Sequence, residues 1–245
     1  ITPDILFRIS GTYTRAGEGY QKDIDTGRKF GKPDRGGVRG QLQFNLADGI
    51  KLLLNGHYAR DRSISPSPFS SFIYTGNPRD VSVGDLKLKN HSDAPGGSAT
   101  LTVDRGSVTL KSITAFDQVH RYGFDNYDGL AATILDFYNN FRTRDFSQEF
   151  RLSSNTPLFG FVDWIVGATY GHERLKADIV EDLSDVFYPD RSDRAALEAN
   201  YIQKSRSLGG YVHLVSHLTN NLNLTTGLRY SSDRRSFVGT THDVT

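Results

Sequence analysis

From Ser205 to Arg235 the chain reads SRSLGGYVHLVSHLTNNLNLTTGLRYSSDRR, two long alternating runs around the short polar segment Thr219, Asn220 and Asn221. Before that segment the even positions hold Leu208, Gly210, Val212, Leu214 and Leu218, with Ser216 the polar exception, and the odd positions hold Ser207, His213 and His217. After it Leu222, Leu224, Thr226, Leu228 and Tyr230 alternate with Asn223, Thr225, Gly227, Arg229 and Ser231. Side chains alternate faces along a strand, so the stretch reads as a β-hairpin with one apolar and one polar face. Its strands outrun the five or six residues usual in a soluble sheet. About ten residues tilted by about 45° is the length that crosses a bilayer as a barrel strand.

The same grammar recurs along the chain. Phe7, Ile9, Gly11 and Tyr13 alternate with Arg8, Ser10 and Thr12 as a first strand, followed by a polar, glycine-rich loop to about Pro33. Val38, Leu42, Phe44 and Leu46 lead through Ala47-Asp48-Gly49 into Leu52, Leu54, Gly56 and Tyr58. Arg62 to about Gly97 loses periodicity and gains Ser, Pro, Gly and Asp, which predicts a long loop. Ala99, Leu101 and Val103 turn at Asp104-Arg105-Gly106 into Val108, Leu110, Ser112, Thr114 and Phe116. After an aromatic, polar loop, Phe146, Phe150 and Leu152 pair with Val162, Trp164, Val166, Ala168 and Tyr170, and a loop rich in Asp and Arg runs from about Leu175 to Lys204. That makes nine strands.

The connections alternate between short turns and loops of about 20 to 35 residues, which a compact soluble domain seldom tolerates and an outer-membrane barrel requires. Tyr58, Phe116, Tyr170 and Tyr230 each lie about nine or ten residues beyond a short turn on the apolar face, and Tyr13 falls in line. Nine residues at about 3.3 Å, tilted by about 45°, rise roughly 21 Å, close to an apolar band of about 25 Å flanked by aromatics. The reading is all-β: a segment of an antiparallel transmembrane β-barrel in up-and-down hairpins, with short periplasmic turns, long extracellular loops and a lipid-facing girdle of those five aromatics. The alternative is a soluble β-sandwich or lipocalin-like barrel whose apolar face is its core, since alternation does not say which face is wet.

Composition narrows the function. With 29 Lys and Arg against 28 Asp and Glu and no basic stripe, nucleic acid is not the expected partner. No run approaches the 18 apolar residues of a membrane helix, and a barrel is the membrane architecture that leaves half of every strand polar. The absence of cysteine removes disulfides and thiolate chemistry. The opening ITPDIL has no charged-then-apolar leader, so any signal peptide is expected outside these residues, and the chain reads as a fragment of one domain, residues 1–245.

The segments AGEGYQKDIDTGRKFG, GVRGQLQFNLADGIKLLLNGHYARDR, VTLKSITAF, FSQEFRLSSN, VDWIVGATY and LTNNLNLTTGLRYSSDRR, in this order, resemble the barrel of TonB-dependent outer-membrane receptors of the ferric-siderophore type. The resemblance runs from about Phe7 to Arg235, and LTNNLNLTTGLRY and SQEFRLSS are its most specific pieces. It implies a parent protein in the outer membrane of a Gram-negative bacterium, with a 22-stranded barrel, an N-terminal plug and a coupling box that meets the TonB complex. The plug, the box and the remaining strands are not among these residues. The implied function is active uptake of a ferric siderophore or similar iron complex, with no enzymatic activity and no cofactor. The partners it implies are the iron chelate, outer-membrane lipid, lipopolysaccharide and the TonB complex. A passive porin, an adhesin, or uptake of vitamin B12 or an oligosaccharide are the alternatives on the same barrel.

Candidate chemistry is sparse. His213 and His217 share the polar face, but four residues of strand separate them by about 13 Å, too far for one ion. His172-Glu173 begins like a zinc motif, yet Lys176 stands where its second histidine belongs. Asp125 to Gly129, and Asp182, Asp185, Asp190 and Asp193, lack calcium-hand spacing and read as solvated loop charge. No metal site is expected. An outer-membrane hydrolase would need a Ser and a His together on the outer face, and the strand histidines mostly fall on the polar one. Ligand chemistry is left to the aromatics and arginines assigned to the extracellular loops: Tyr20, Arg28, Phe69, Phe72, Tyr74, Arg79, Tyr122, Phe124, Tyr127, Tyr138, Phe141, Arg142, Tyr188, Arg191 and Arg194. Arginine pairs with an anionic chelate and aromatics pack its organic frame. For each of these residues, packing within the loops is the competing role.

Overall fold

The computed structural model describes residues 4–67, 76–83, 86–190 and 192–244. In chain order its elements are β1 (Ile5–Arg15), β2 (Gln21–Asp23), β3 (Lys29–Phe30), β4 (Asp34–Ala47), β5 (Ile50–Ser63), β6 (Asp80–Val81), β7 (Lys89–Asp104), β8 (Val108–Asn126), β9 (Asp136–Ser154), β10 (Val162–Asp182), the single-turn α1 (Ser184–Phe187), β11 (Ala196–Thr219) and β12 (Leu222–Val244). The nine long strands form one antiparallel sheet in the order β1-β4-β5-β7-β8-β9-β10-β11-β12; the short ones form a second sheet, β3-β2-β6. The large sheet is an open barrel wall, with β1 and β12 each paired on one side.

Register explains why this sequence makes a wall rather than a core. Directly opposed residues of an antiparallel pair share a face. Phe7 stands beside Leu42, Leu42 beside Leu54 and Leu54 beside Ala99. On the other half Leu110 stands beside Leu152, Leu152 beside Val166, Val166 beside Val212 and Val212 beside Leu228. The apolar positions therefore line up across all nine strands, and none of the described residues covers them: Phe116, Phe150 and Val166, on interior strands, are 48%, 52% and 43% exposed. A sandwich or lipocalin would bury this face, so those readings fall.

The girdle adds a second constraint. The hydrogen-bonded row that starts at Tyr13 runs through Gly36, Arg60, Asp93, His120, Arg142, Lys176 and Ile202 to Val238. Tyr58 lies two residues from that row (60−58), Phe116 four (120−116), Tyr170 six (176−170) and Tyr230 eight (238−230). The aromatics thus slip one residue, about 3.3 Å, per strand spacing of about 4.8 Å, an inclination of about 35°. Strands of a transmembrane barrel tilt by about that much, so the oblique line on the sheet is a level ring around it.

Several expectations need correction. The turn of the last hairpin is tighter than its sequence suggests: Thr219 pairs with Leu222, leaving Asn220 and Asn221 to turn, and the register shift between His217 and Thr219 makes Leu218 a bulge. The turn after β4 repeats this, with a shift between Asn45 and Ala47, and Gly49 supplies a φ of 71° that a side chain would resist. Much of the sequence read as loop is strand. β7 starts at Lys89, β8 continues to Asn126, β9 begins at Asp136, β10 reaches Asp182, β11 starts at Ala196 and β12 runs on to Val244. Beyond the girdle both faces of the hairpins are wet, so hydrophobic alternation vanishes while the ladder continues. Pro95 sits inside β7, at a gap in the β7–β8 pairing between Asp93↔His120 and Gly96↔Asp117, which accommodates its missing N–H.

Candidate functional site

The end of the wall away from the short turns carries two small assemblies. The first is built on the short sheet. Phe30, Val81, Val83, Leu88 and Phe124 form a buried apolar cluster, with Ile64 and Leu86 packed on it. Asp23, fully buried, accepts from the Thr26 hydroxyl and from the amide N–H of Val83 at 3.3 Å. Gln21 clasps Ser67 from both sides: its Nε2 donates to the Ser67 carbonyl at 2.8 Å and its Oε1 accepts the Ser67 N–H at 2.9 Å.

The second assembly joins the β8–β9 connection to α1. Asn126 Nδ2 donates to Asp136 Oδ1 at 2.9 Å and to Asp128 Oδ1 at 3.1 Å, and its Oδ1 accepts the Gly129 N–H at 2.8 Å. Asp128 accepts the backbone N–H groups of Leu130 and Leu135, both at 2.7 Å. The Asp185 carboxylate accepts the Thr133 N–H at 2.9 Å, and the Asp185 N–H donates to the Thr133 carbonyl at 3.0 Å. Asp182 binds the Ser184 hydroxyl at 2.5 Å and faces Arg194 Nε at 3.4 Å. These carboxylates fold the connection as turn-forming acceptors. Among the described residues no group of three or more His, Asp or Glu is arranged to hold a metal ion. Burial beside Asp128, Asp182 and Asp185 pushes the Asp136 carboxyl up to about 6, desolvation being the largest cause and the Asn126 hydrogen bond opposing it.

The ligand candidates divide between these assemblies. In the first, the Arg28 guanidinium lies 5.6 Å over the Phe30 ring, the Phe124 and Tyr138 rings are 4.4 Å apart, the Arg79 carbonyl accepts the Lys22 N–H at 2.7 Å, and Tyr20 is 60% exposed against the backbone of Gly31. In the second, Tyr127 meets Phe137 edge-on at 4.9 Å, Arg194 pairs with Asp182, and Tyr188 lines a cavity of about 270 Å³ with Leu183, Phe187 and Leu197. Tyr122, Phe124, Tyr138, Phe141 and Arg142 are strand residues, not loop residues, because the ladder outlasts the hydrophobic pattern. Opposed pairs place Tyr122, Phe124, Tyr138 and Arg142 on the girdle's face and Phe141 on the other. Phe69, Phe72, Tyr74 and Arg191 lie outside the described residues.

The face opposite the girdle is a polar surface wired across strands. Gln41 Nε2 donates to Asn55 at 2.6 Å and Asn55 Nδ2 to Ser98 at 3.2 Å. Glu149 accepts from Arg151 at 2.7 Å and from the Tyr211 hydroxyl at 2.9 Å. His217 has both ring nitrogens engaged, with Asp163 and Asn223 at 2.8 Å each, while His213 stands between Ile165 and Gly227. Sequence reading missed Asp136, Asn126 and Phe30 as organisers of the rim; the Asp125–Gly129 segment was the one visible signal.

Against known proteins, no family model matches the sequence and no curated protein matches it. Solved structures do. The ferric yersiniabactin uptake receptor FyuA of Yersinia pestis superposes with a TM-score of 0.76 at 17% identity, over 98% of this chain and 38% of that one. FpvAI, in its complex with pyocin S2, gives 0.69 at 16% identity over 98% and 35%. The siderophore receptor PiuA of Acinetobacter baumannii gives 0.53 at 14% over 97% and 43%.

The chain has the barrel fold of TonB-dependent siderophore receptors. It spans between a third and a half of the length of these structures, so the shared part is a portion of the barrel wall. These neighbours are receptors rather than enzymes.

Proposed function

We propose that the chain is part of the barrel of an outer-membrane receptor that imports a ferric siderophore or a similar iron complex, energised from the inner membrane through parts of the protein outside these residues. The observation that carries the reading is the two-faced wall, apolar and uncovered outside and hydrogen-bonded and polar inside, matching an iron-chelate uptake receptor over nearly the whole chain. Within it, Tyr20 and Arg28 on one rim assembly, and Tyr127, Tyr188 and Arg194 on the other, are the groups offered to the chelate. Arginine forks suit its carboxylate or phenolate oxygens and aromatic faces suit its organic frame.

Deleting the gene should abolish growth rescue by a cognate ferric chelate under iron limitation, and binding of radiolabelled iron chelate to the full-length receptor should weaken about tenfold in an Arg28→Ala/Arg194→Ala variant, about 0.7 kcal/mol per lost contact. Expression indifferent to iron, with uptake of vitamin B12 or an oligosaccharide instead, would move the receptor to a sister substrate. Chelate binding unchanged by the paired variant would remove those arginines from the site.

A further inference from the structure

We propose that the buried row Asn126, Asp136 and Asp182 is a proton-operated latch on the outer rim: a proton on Asp136 holds the β8–β9 connection and α1 docked against the first assembly, and its loss lets them part. Register builds the row. Asn126 stands opposite Asp136 on β9, and Asp136 stands opposite Asp182 on β10. All three are buried, Asp136 at 1% exposed. Opposed side chains lie about 4.5–5.5 Å apart at Cβ, where two like charges repel. Asp182 has partners of its own, the Ser184 hydroxyl and Arg194. Among the described residues Asp136 has Asn126 as its side-chain donor, and the two Nδ2 protons of Asn126 are divided among Asp136, Asp128 and the Leu130 carbonyl. A buried carboxylate with so shared a donor is short of the hydrogen bonds its charge requires, whereas the neutral acid is not.

Asn126 is also where the two assemblies meet. β8 enters the first with Phe124 and the second with Asn126, whose Oδ1 accepts the Ser67 hydroxyl at 3.4 Å, and Ser67 is clasped through its backbone by Gln21 of β2. On the far side Asp136 begins β9, Asp182 ends β10, and α1 follows at Ser184, tied back to Thr133 through Asp185. The row therefore connects β2 to α1. Around Asp136 stand Asp128 in the connection, Asp182 on β10 and Asp185 on α1, with Tyr138 two residues along β9 and Arg194 engaged by Asp182. Burial first, and then these three acids, push the Asp136 carboxyl up to about 6 from 3.8 against the Asn126 hydrogen bond. A carboxyl raised on folding stabilises the fold below its unfolded value and ceases to as pH rises through its folded one, so the latch is closed in acid and slack at neutral pH. Asp136 lies ten residues beyond Phe146 (146−136). At about 3.3 Å per residue and a tilt of about 35° it stands roughly 27 Å above the girdle, where the proton comes from the outside medium. The latch spans the groups offered to the chelate, Tyr20 and Arg28 on one side and Tyr127, Tyr188 and Arg194 on the other, so closing it fixes their spacing; that consequence rests on the function proposed above.

Spin labels on Lys22→Cys of β2 and Val186→Cys of α1, both exposed, read the separation of the two assemblies in the full-length receptor by pulsed dipolar spectroscopy. One narrow distance is expected in acid and a second, longer one at neutral pH. Their ratio should change by up to about a hundredfold, tenfold for each of the roughly two pH units between 3.8 and about 6. Asp136→Asn, neutral at every pH, should keep the short distance throughout. Ser67→Ala, which spares the Gln21 clasp but cuts the tie to Asn126, should let the long distance appear in acid as well. Should Asp136→Asn not fold, Asp182→Asn removes the opposed charge and should move the midpoint to lower pH. A distance indifferent to pH, an Asp136→Asn variant with the wild-type pH dependence, or an unmoved midpoint in Asp182→Asn overturns the proposal. Radiolabelled ferric chelate should leave the wild-type receptor more slowly in acid relative to Asp136→Asn than it does at neutral pH. A ratio of the two rates that ignores pH, beside a distance that follows it, overturns the latch's control of the site. Absence of chelate binding at either pH overturns the function proposed above, and the label distances then decide the latch on their own.

Discussion

Below the girdle and above it, the same nine strands are held by different forces. Below, towards the short turns, one face is a continuous apolar surface from Phe7 to Leu228 and the other a polar network, and the exposed apolar face is stabilised only by a surrounding that is itself apolar. Above, the strands have no apolar face, and the rim is held by a small buried cluster around Phe124 and by acids that accept backbone N–H groups. The lower region therefore depends on its solvent and the upper one on its own packing. Below the girdle, Ser112, Thr114 and Gln148 share the outward face but bond to one another, Thr114 to Gln148 at 2.5 Å and Gln148 to Ser112 at 3.0 Å, so these three do not meet the hydrocarbon unpaired.

The largest effect should come from emptying the upper core. Phe124→Ala removes the central ring of its cluster and should lower the local stability of the rim by about 3–5 kcal/mol. Hydrogen exchange in the full-length receptor should then rise in residues 21–30 and 80–88 and stay unchanged in the wall below the girdle. Exchange rising together in both would mean that the two regions unfold as one. Next, Leu224→Arg places a charge on the apolar face and should lower folding stability in bilayers by about 2–4 kcal/mol near the midplane, while Thr225→Arg, on the other face, changes it little. Denaturant titration in vesicles reads the difference; equal effects of the two substitutions would reverse the assignment of faces.

A pH effect should be confined to the rim. Because the folded-state pKa of Asp136 is raised to about 6 from 3.8, its contribution is fully present below about pH 4 and is lost as pH rises through about 6. The rise from 3.8 to about 6 corresponds to at most about 3 kcal/mol. Thermal protection of the β8–β9 connection should decline across that window, and Asp136→Asn should flatten the profile; an unchanged profile in the variant assigns the titration elsewhere. The smallest effect tests the polar exception below: Gln148→Ala leaves Ser112 and Thr114 without their partner and should lower stability in bilayers by about 1–2 kcal/mol. No change there would mean that the two hydroxyls find backbone acceptors instead.

How much of this was legible in the residues differs between the regions for one physical reason. Below the girdle each strand separates an apolar from a polar environment, so a period of two is written into Leu222 to Tyr230 or Leu42 to Tyr58. Strand number and the aromatic register follow from it, and the turns to within a residue. Above the girdle both faces meet water, selection on alternate positions ceases, and the ladder of β8 to β12 continues through sequence that reads as loop. There the composition still announced aromatics and arginines, but not which of them pack. That Phe30 and Phe124 are buried together, that Asp136 is desolvated beside Asn126, and that Arg174 and Arg206 share the outward face with the girdle are set by pairing between segments far apart in the chain. Which face of the sheet stays uncovered, and so whether the chain is a wall or a core, was a tertiary decision: alternation specifies two faces, and it is the pairing of nine strands into one sheet, with Phe116, Phe150 and Val166 left exposed among the described residues, that makes the wall.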